Sequence, residues 1–197
     1  SVPCYSATTT QVTINALPTV NAGNDVAICT GDSVNLLATG TATGYVWDNS
    51  VPANGSNVGP TATTTYTVTG TSAAGCINTD SRVITVNPLP TATIAGNATV
   101  CLNTPQPTVT FTGSGATAPY TFNYSYNNGA PVQVVSNAAG VATISIPTNT
   151  PGSHVYDLIS VQDASTTTCL NPQQGTVTVV VNDLPTASIS GTATVCV

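Results

Sequence analysis

Short alternations of Thr, Val, Ile and Tyr with small or polar residues recur along this chain, each bounded by Gly, Pro or Asn, and no stretch has helical period. Alternation with period two buries one face of a strand and leaves the other wet, so the pattern predicts an all-β chain of the sandwich type. In the first half, strands are expected near residues 25–29, 33–38, 44–47, 64–71 and 81–87. In the second half they are expected near 98–101, 108–112, 120–126, 132–135, 142–146, 154–162 and 176–182. Both sets read as immunoglobulin-like. Residues 126–135 add a further hairpin, with Asn128-Gly129 as its expected turn.

One phrase is written three times: NALPTVNAGNDVAIC ends at Cys29, NPLPTATIAGNATVC at Cys101 and NDLPTASISGTATVC at Cys196. In each, a Leu-Pro pair (Pro18, Pro90, Pro185) is followed by cysteine eleven positions later. A second phrase precedes each copy, in which Cys4, Cys76 or Cys169 leads into an alternating run, QVTIN, RVITVN or TVTVVVN. Self-similarity of this kind marks a tandem array, with every Leu-Pro at a junction. The expected organisation is the last strand of a preceding repeat in 1–15, an Ig-like repeat in 18–87, a second in 90–182, and the first strand of a following repeat in 184–197. The prolines are 72 and 95 residues apart, room for one small core each. Two sandwiches placed end to end as a rod would span roughly 70 to 80 Å, with proline restricting the linker. Orphan strands at the two ends would be exposed edges, which soluble proteins avoid, so the chain reads as a window on a longer one.

Composition narrows the function. Charged residues make up 4%, against about 25% in an average protein. All seven acids are Asp, Lys and Glu are absent, and Arg82 is the sole basic side chain, giving a net charge of −6. Without a basic patch, neither nucleic acid nor an anionic membrane is an expected partner. A hydrophobic content of 41% and a mean hydropathy of +0.21 argue against disorder. No apolar run approaches the roughly 18 residues of a membrane span, and no signal peptide is visible in this window. Six cysteines, Cys4, Cys29, Cys76, Cys101, Cys169 and Cys196, lack CxxC or Cys/His spacing and read as structural disulfide candidates made outside the cytosol. The expected location is extracellular, at the cell surface.

Enzyme readings fail mostly by absence, and no cofactor or metal is expected. His154 is the only histidine, with Asp157 and Asp163 after it, and no nucleophile motif accompanies it. It reads as a strand residue with a polar tip. Lacking Lys, the chain cannot make Lys-Asn isopeptide staples. Tyr120, Phe122, Tyr124 and Tyr126 alternate along one strand and project from one face, either as sandwich core, as Trp47 and Tyr66 are expected to be, or as a stacking ladder for glycan. Asp25, Asp32, Asp48 and Asp80 are weak candidates for calcium, because no DxDxDG loop is present.

TGDSVNLLATG with YVWDNSVPANGSNVGPTATTTYTVTGTSAAGC resembles the Ig-like and PKD-like repeats of giant surface proteins of Bacteroidota. The second module, with PYTFNYSYNNG and PGSHVYDLISVQDASTTTC, is similar to a repeat of the SprB-type gliding adhesins. The resemblance implies a long surface filament delivered by type IX secretion, with adhesion or gliding motility as its role. Asp32-Ser33-Val34 resembles the acceptor of Bacteroidota O-glycosylation, which makes Ser33 a candidate. The expected function is a structural stalk whose partners are neighbouring repeats, with polysaccharide or a solid surface engaged by other parts of the chain. Alternatives are a carbohydrate-binding module and a subunit of a strand-exchanged filament.

Cysteine pairing has two readings. Within modules, Cys29 would join Cys76 and Cys101 would join Cys169, each bridge contributing roughly 4 kcal/mol. In immunoglobulin-like order, however, the first strand ends at the exit pole and the loop before the last strand lies at the entry pole. Those sites are about 25 Å apart, whereas a disulfide needs Cα atoms within about 7 Å. Topology therefore favours a staple between Cys29 and Cys169, with Cys4, Cys76, Cys101 and Cys196 pairing with modules outside the window.

Overall fold

The structure, a computed structural model, describes residues 2–4, 6 and 8–196. Among these the chain is all β, with seventeen strands and no helix, in two compact units divided between Val86 and Asn87.

The first unit contains β1 (Val20–Asn21), β2 (Val26–Cys29), β3 (Val34–Leu36), β4 (Thr39–Gly40), β5 (Gly44–Trp47), β6 (Ser56–Val58), β7 (Thr64–Thr71) and β8 (Ile77–Asn87). β2, β8, β7 and β5 form one sheet in that order, while β3 pairs with β6 and β1 with β4. Strict alternation along β7 turns Tyr66, Val68 and Gly70 inward and leaves the threonines between them partly wet. Tyr66 and Val68 join Ile28, Leu36, Trp47 and Ile84 in a single core drawn from both sides of the sandwich. Trp47 is 5% exposed, and its indole N–H is not stranded: Nε1 donates to Asn54 Oδ1 at 3.1 Å. Asn54 in turn bonds the backbone of Ala38 in both directions.

The second unit contains β9 (Thr91–Ala95), β10 (Ala98–Cys101), β11 (Thr108–Ser114), β12 (Thr121–Tyr126), β13 (Val132–Val135), β14 (Val141–Ser145), β15 (Gly152–Gln162), β16 (Leu170–Pro172) and β17 (Thr176–Asn182). One sheet runs β14-β11-β9; the other runs β10-β17-β15-β12-β13, with β16 beside β15. β10 lies parallel to β17, with Cys101 opposite Asn182. The core is built on Phe111, Phe122, Val161 and Val179, each fully buried. Gly113 makes room for it, because a Cβ there would stand 2.5 Å from Tyr120 Cδ2. A register shift of β15 against β12 changes its parity. Tyr156 and Leu158 face inward before the shift, Ile159 is extruded at 39% exposure, and Val161 and Asp163 face inward after it.

Three expectations change. The repeated Leu-Pro phrase holds two strands in each unit: β1 then β2, and β9 then β10. The chain crosses from one sheet to the other at Gly23 and at Gly96, both at positive φ. The extra hairpin is present as β12 and β13, but its turn is centred one residue earlier than expected. Asn127 and Asn128 hold positive φ and Gly129 N donates to Tyr126 O at 2.8 Å, so Asn-Asn supplies the two left-handed positions. Described residues of the flanking segments 1–15 and 184–197 form no strand, and Val12, Ile14, Ile189 and Val195 stand at least 80% exposed. An alternating segment without a partner buries neither its side chains nor its backbone.

Candidate functional site

Positions at fixed offsets from the repeated cysteines carry the same polar contacts in both units. Two residues after Cys76, Asn78 Nδ2 donates to Pro18 O at 2.9 Å; two after Cys169, Asn171 Nδ2 donates to Pro90 O at 2.8 Å. Four residues before Cys29, Asp25 Oδ1 accepts from Val83 N at 2.8 Å; four before Cys101, Asn97 Oδ1 accepts from Thr178 N at 2.7 Å. After Cys29 and Cys101 the chain turns, with Gly31 and Asn103 in the left-handed region two positions on. The turns close by Asp32 N to Cys29 O at 3.0 Å and Thr104 N to Cys101 O at 3.3 Å. The cysteine-bearing loops are also held alike: Cys76 N donates to Ser72 Oγ, and Cys169 N to Asp163 Oδ1 at 2.7 Å. Each clamp satisfies a backbone group that the sheets leave over. The sequence singled out Asp25 only as a calcium candidate and Asp163 only as a neighbour of His154, and it did not single out Asn78, Asn97 or Asn171, although the constant offset of these asparagines and of Asp25 from cysteine was visible there.

Cys29 and Cys169 are each disulfide-bonded, while Cys4, Cys76, Cys101 and Cys196 are free thiols. Register in the second unit explains why Cys101 and Cys169 cannot meet. Cys101 lies opposite Asn182, beside the Gly152 end of β15, whereas Leu170 pairs with Gln162 at the other end. Ten residues of strand separate those ends, roughly 33 Å, far beyond the reach of a disulfide.

The aromatic strand splits its candidates. Tyr120 and Phe122 are 4% and 0% exposed, so they belong to the core and offer a glycan nothing. Tyr124 is half-buried against Phe111, and Tyr126 is 40% exposed. Tyr126 Oη and His154 Nδ1 are 2.7 Å apart, and His154 Nε2 lies 3.1 Å from Thr150 O. A carbonyl only accepts, so Nε2 donates to Thr150 O, and in the neutral imidazole Nδ1 accepts from the Tyr126 phenol. The two ring planes lie within 12° with centroids 6.0 Å apart. Stacked faces need about 3.5 Å between planes, more than the 2.7 Å that separates the bonded atoms. The near-parallel rings therefore meet edge to edge rather than face to face. The Tyr156 ring lies 5.1 Å from that of Tyr126; burial pushes its phenol up to about 12, and neighbouring Tyr126 and Tyr124 add to the rise. With Pro147 and Asn149 these residues line a pocket of about 300 Å³.

The remaining candidates are dispersed. Asp25 and Asp32 accept from the backbone amides of Val83 and Cys29, Asp48 from that of Thr67 and Asp80 from that of Ala22, so each carboxylate serves a different backbone amide. Among the described residues no group of three or more His, Cys, Asp or Glu is placed to hold a metal. Ser33 is exposed just before β3. Asp157 bonds Thr176, and Asp163 bonds Ser165 and Cys169; neither is a partner of His154.

No protein-family model and no curated protein matches the sequence. Among solved structures, an I-band fragment of titin superposes with TM-score 0.55 at 15% identity, covering 86% of this chain and 67% of that one. The N-terminal eight Ig domains of Down Syndrome Cell Adhesion Molecule give 0.53 at 15% identity, over 84% of this chain and 27% of that one. A Ca2+-stabilized adhesin with which an Antarctic bacterium binds ice gives 0.45 at 16% identity, over 86% and 50%. The fold is that of tandem immunoglobulin-like domains.

Proposed function

We propose that this chain is a pair of structural repeats from the stalk of an extracellular surface adhesin. The observation that carries the reading is the recurrence of the same clamps at the same offsets from cysteine in two units that otherwise differ in strand number. A tandem array needs this: the junction-forming ends are kept constant while the middle of each repeat varies. In this reading the cysteine that ends the second strand of one repeat is bridged to the cysteine before the last strand of the next, with Cys29 and Cys169 as one such bridge. Residues 1–15 and 184–197 then belong to the repeats on either side, and Cys4, Cys76, Cys101 and Cys196 pair with cysteines there. Disulfide chemistry favours an oxidising compartment outside the cell.

The finer role follows the resemblance to SprB-type adhesins of Bacteroidota: export by type IX secretion and a part in gliding or attachment. Antibody raised to this chain should label intact cells of the source organism, with the signal lost on surface proteolysis. Deleting the segment's gene should impair attachment or spreading. Signal confined to permeabilised cells would overturn the reading.

A further inference from the structure

The pocket beside Tyr126 combines aromatic rings with an amide and a hydroxyl side chain. Tyr126, Pro147, Asn149, Thr150, His154 and Tyr156 line it, with neither a carboxylate nor a Lys or Arg among them. Its platform is held in place before any ligand arrives. Tyr126 and His154 are tied by their 2.7 Å hydrogen bond, and His154 is tied again to Thr150 O. The loop that supplies Pro147, Asn149 and Thr150 is pinned at its centre, where buried Thr148 donates to Thr104 O and accepts from Asn103 N through its carbonyl. Both imidazole nitrogens are engaged, which leaves none for a metal.

We propose that this pocket binds a neutral pyranose ring of a polysaccharide, its C–H face laid on the Tyr126–His154 surface and its hydroxyls meeting Asn149 and Thr150. A volume of about 300 Å³ sits at the lower limit for ligand pockets and suits one sugar ring rather than a larger group. A flat, weakly polar ring face meets the apolar face of a sugar, and the amide and hydroxyl both donate and accept, as a polyol requires. A charged sugar would be desolvated there without a counter-ion. The site would give a stalk repeat a contact with matrix or wall glycan along its length, beyond the spacer role proposed above.

The test uses the whole chain with three neutral probes, the methyl glycosides of glucose, galactose and mannose, and with alginate as the polyanionic probe. Aromatic NMR resonances of Tyr126 and His154 should shift with at least one neutral glycoside and stay unmoved by alginate. Tyr126→Ala should weaken that binding about tenfold, and Tyr126→Phe, which keeps the ring but frees His154, by less. Near-UV circular dichroism checks that each variant is folded. Should Tyr126→Ala fail to fold, the resonance shifts of the parent protein decide. The proposal is overturned if no neutral glycoside moves these resonances up to its solubility limit, if alginate alone does, or if folded Tyr126→Ala binds as the parent does.

Discussion

Asn78 reaches across the first unit to donate an amide hydrogen bond to the carbonyl of Pro18 at 2.9 Å, the residue that opens that unit. Pro18 is buried, so its carbonyl has no water to turn to, and the asparagine two places after Cys76 is its partner. Replacing Asn78 with Ala leaves that acceptor unsatisfied and should cost about 1 to 2 kcal/mol. Asn78→Asp should cost more, because a carboxylate cannot donate and would face the carbonyl oxygen with like charge. Trp47, the only tryptophan, is buried in this unit, so its fluorescence in a urea titration reads the loss directly.

Phe122 is fully buried in the second unit and its ring lies 5.6 Å from that of Phe111. Phe122→Ala should destabilise that unit by about 3 to 5 kcal/mol, the usual cost of emptying a large aromatic site. The tyrosine signal in near-UV circular dichroism, carried mostly by the second unit, should then be lost at lower urea. The Trp47 transition should keep its midpoint, since the two cores share no residue.

Tyr156 gives the second unit an alkaline limit. Its phenol titrates at about 12 in the folded protein, against 10.0 for a free tyrosine. The folded state therefore holds a proton that the unfolded chain has already lost between those values, and stability falls with rising pH across that window. Below pH 10 the contribution is fully present. Urea midpoints of the second unit should hold level up to pH 10 and decline from there toward pH 12, and Tyr156→Phe should flatten the decline.

The alternating runs were legible because each face of a strand repeats its environment every second residue, and β5, β7, β13 and β17 lie where the alternation put them. β1, β4 and β6 were not legible, being two or three residues long and held by pairing rather than by a hydrophobic face. The inward turn of Val161 depends on an extruded Ile159, and nothing in the string DLISVQD marks which residue a register shift will expel. At the candidate pocket, Tyr126 was visible as the end of an aromatic alternation. Pro147, Asn149 and Thr150 were not, because a loop brings them to the ring, and no local pattern records a loop's path. The division of Tyr120 and Phe122 from Tyr126 likewise required knowing where the sandwich ends.

The staple between repeats is the central claim, and the sequence supplies its own assay. Arg82 is the only tryptic site and lies between Cys29 and Cys169 in the chain. Protein made under oxidising conditions, with thiols blocked, should be cut by trypsin and its mass taken in denaturant with and without reductant. A Cys29–Cys169 bridge predicts that fragments 1–82 and 83–197 stay together as one species until reduction separates them. Two separate fragments before any reductant is added would contradict the account.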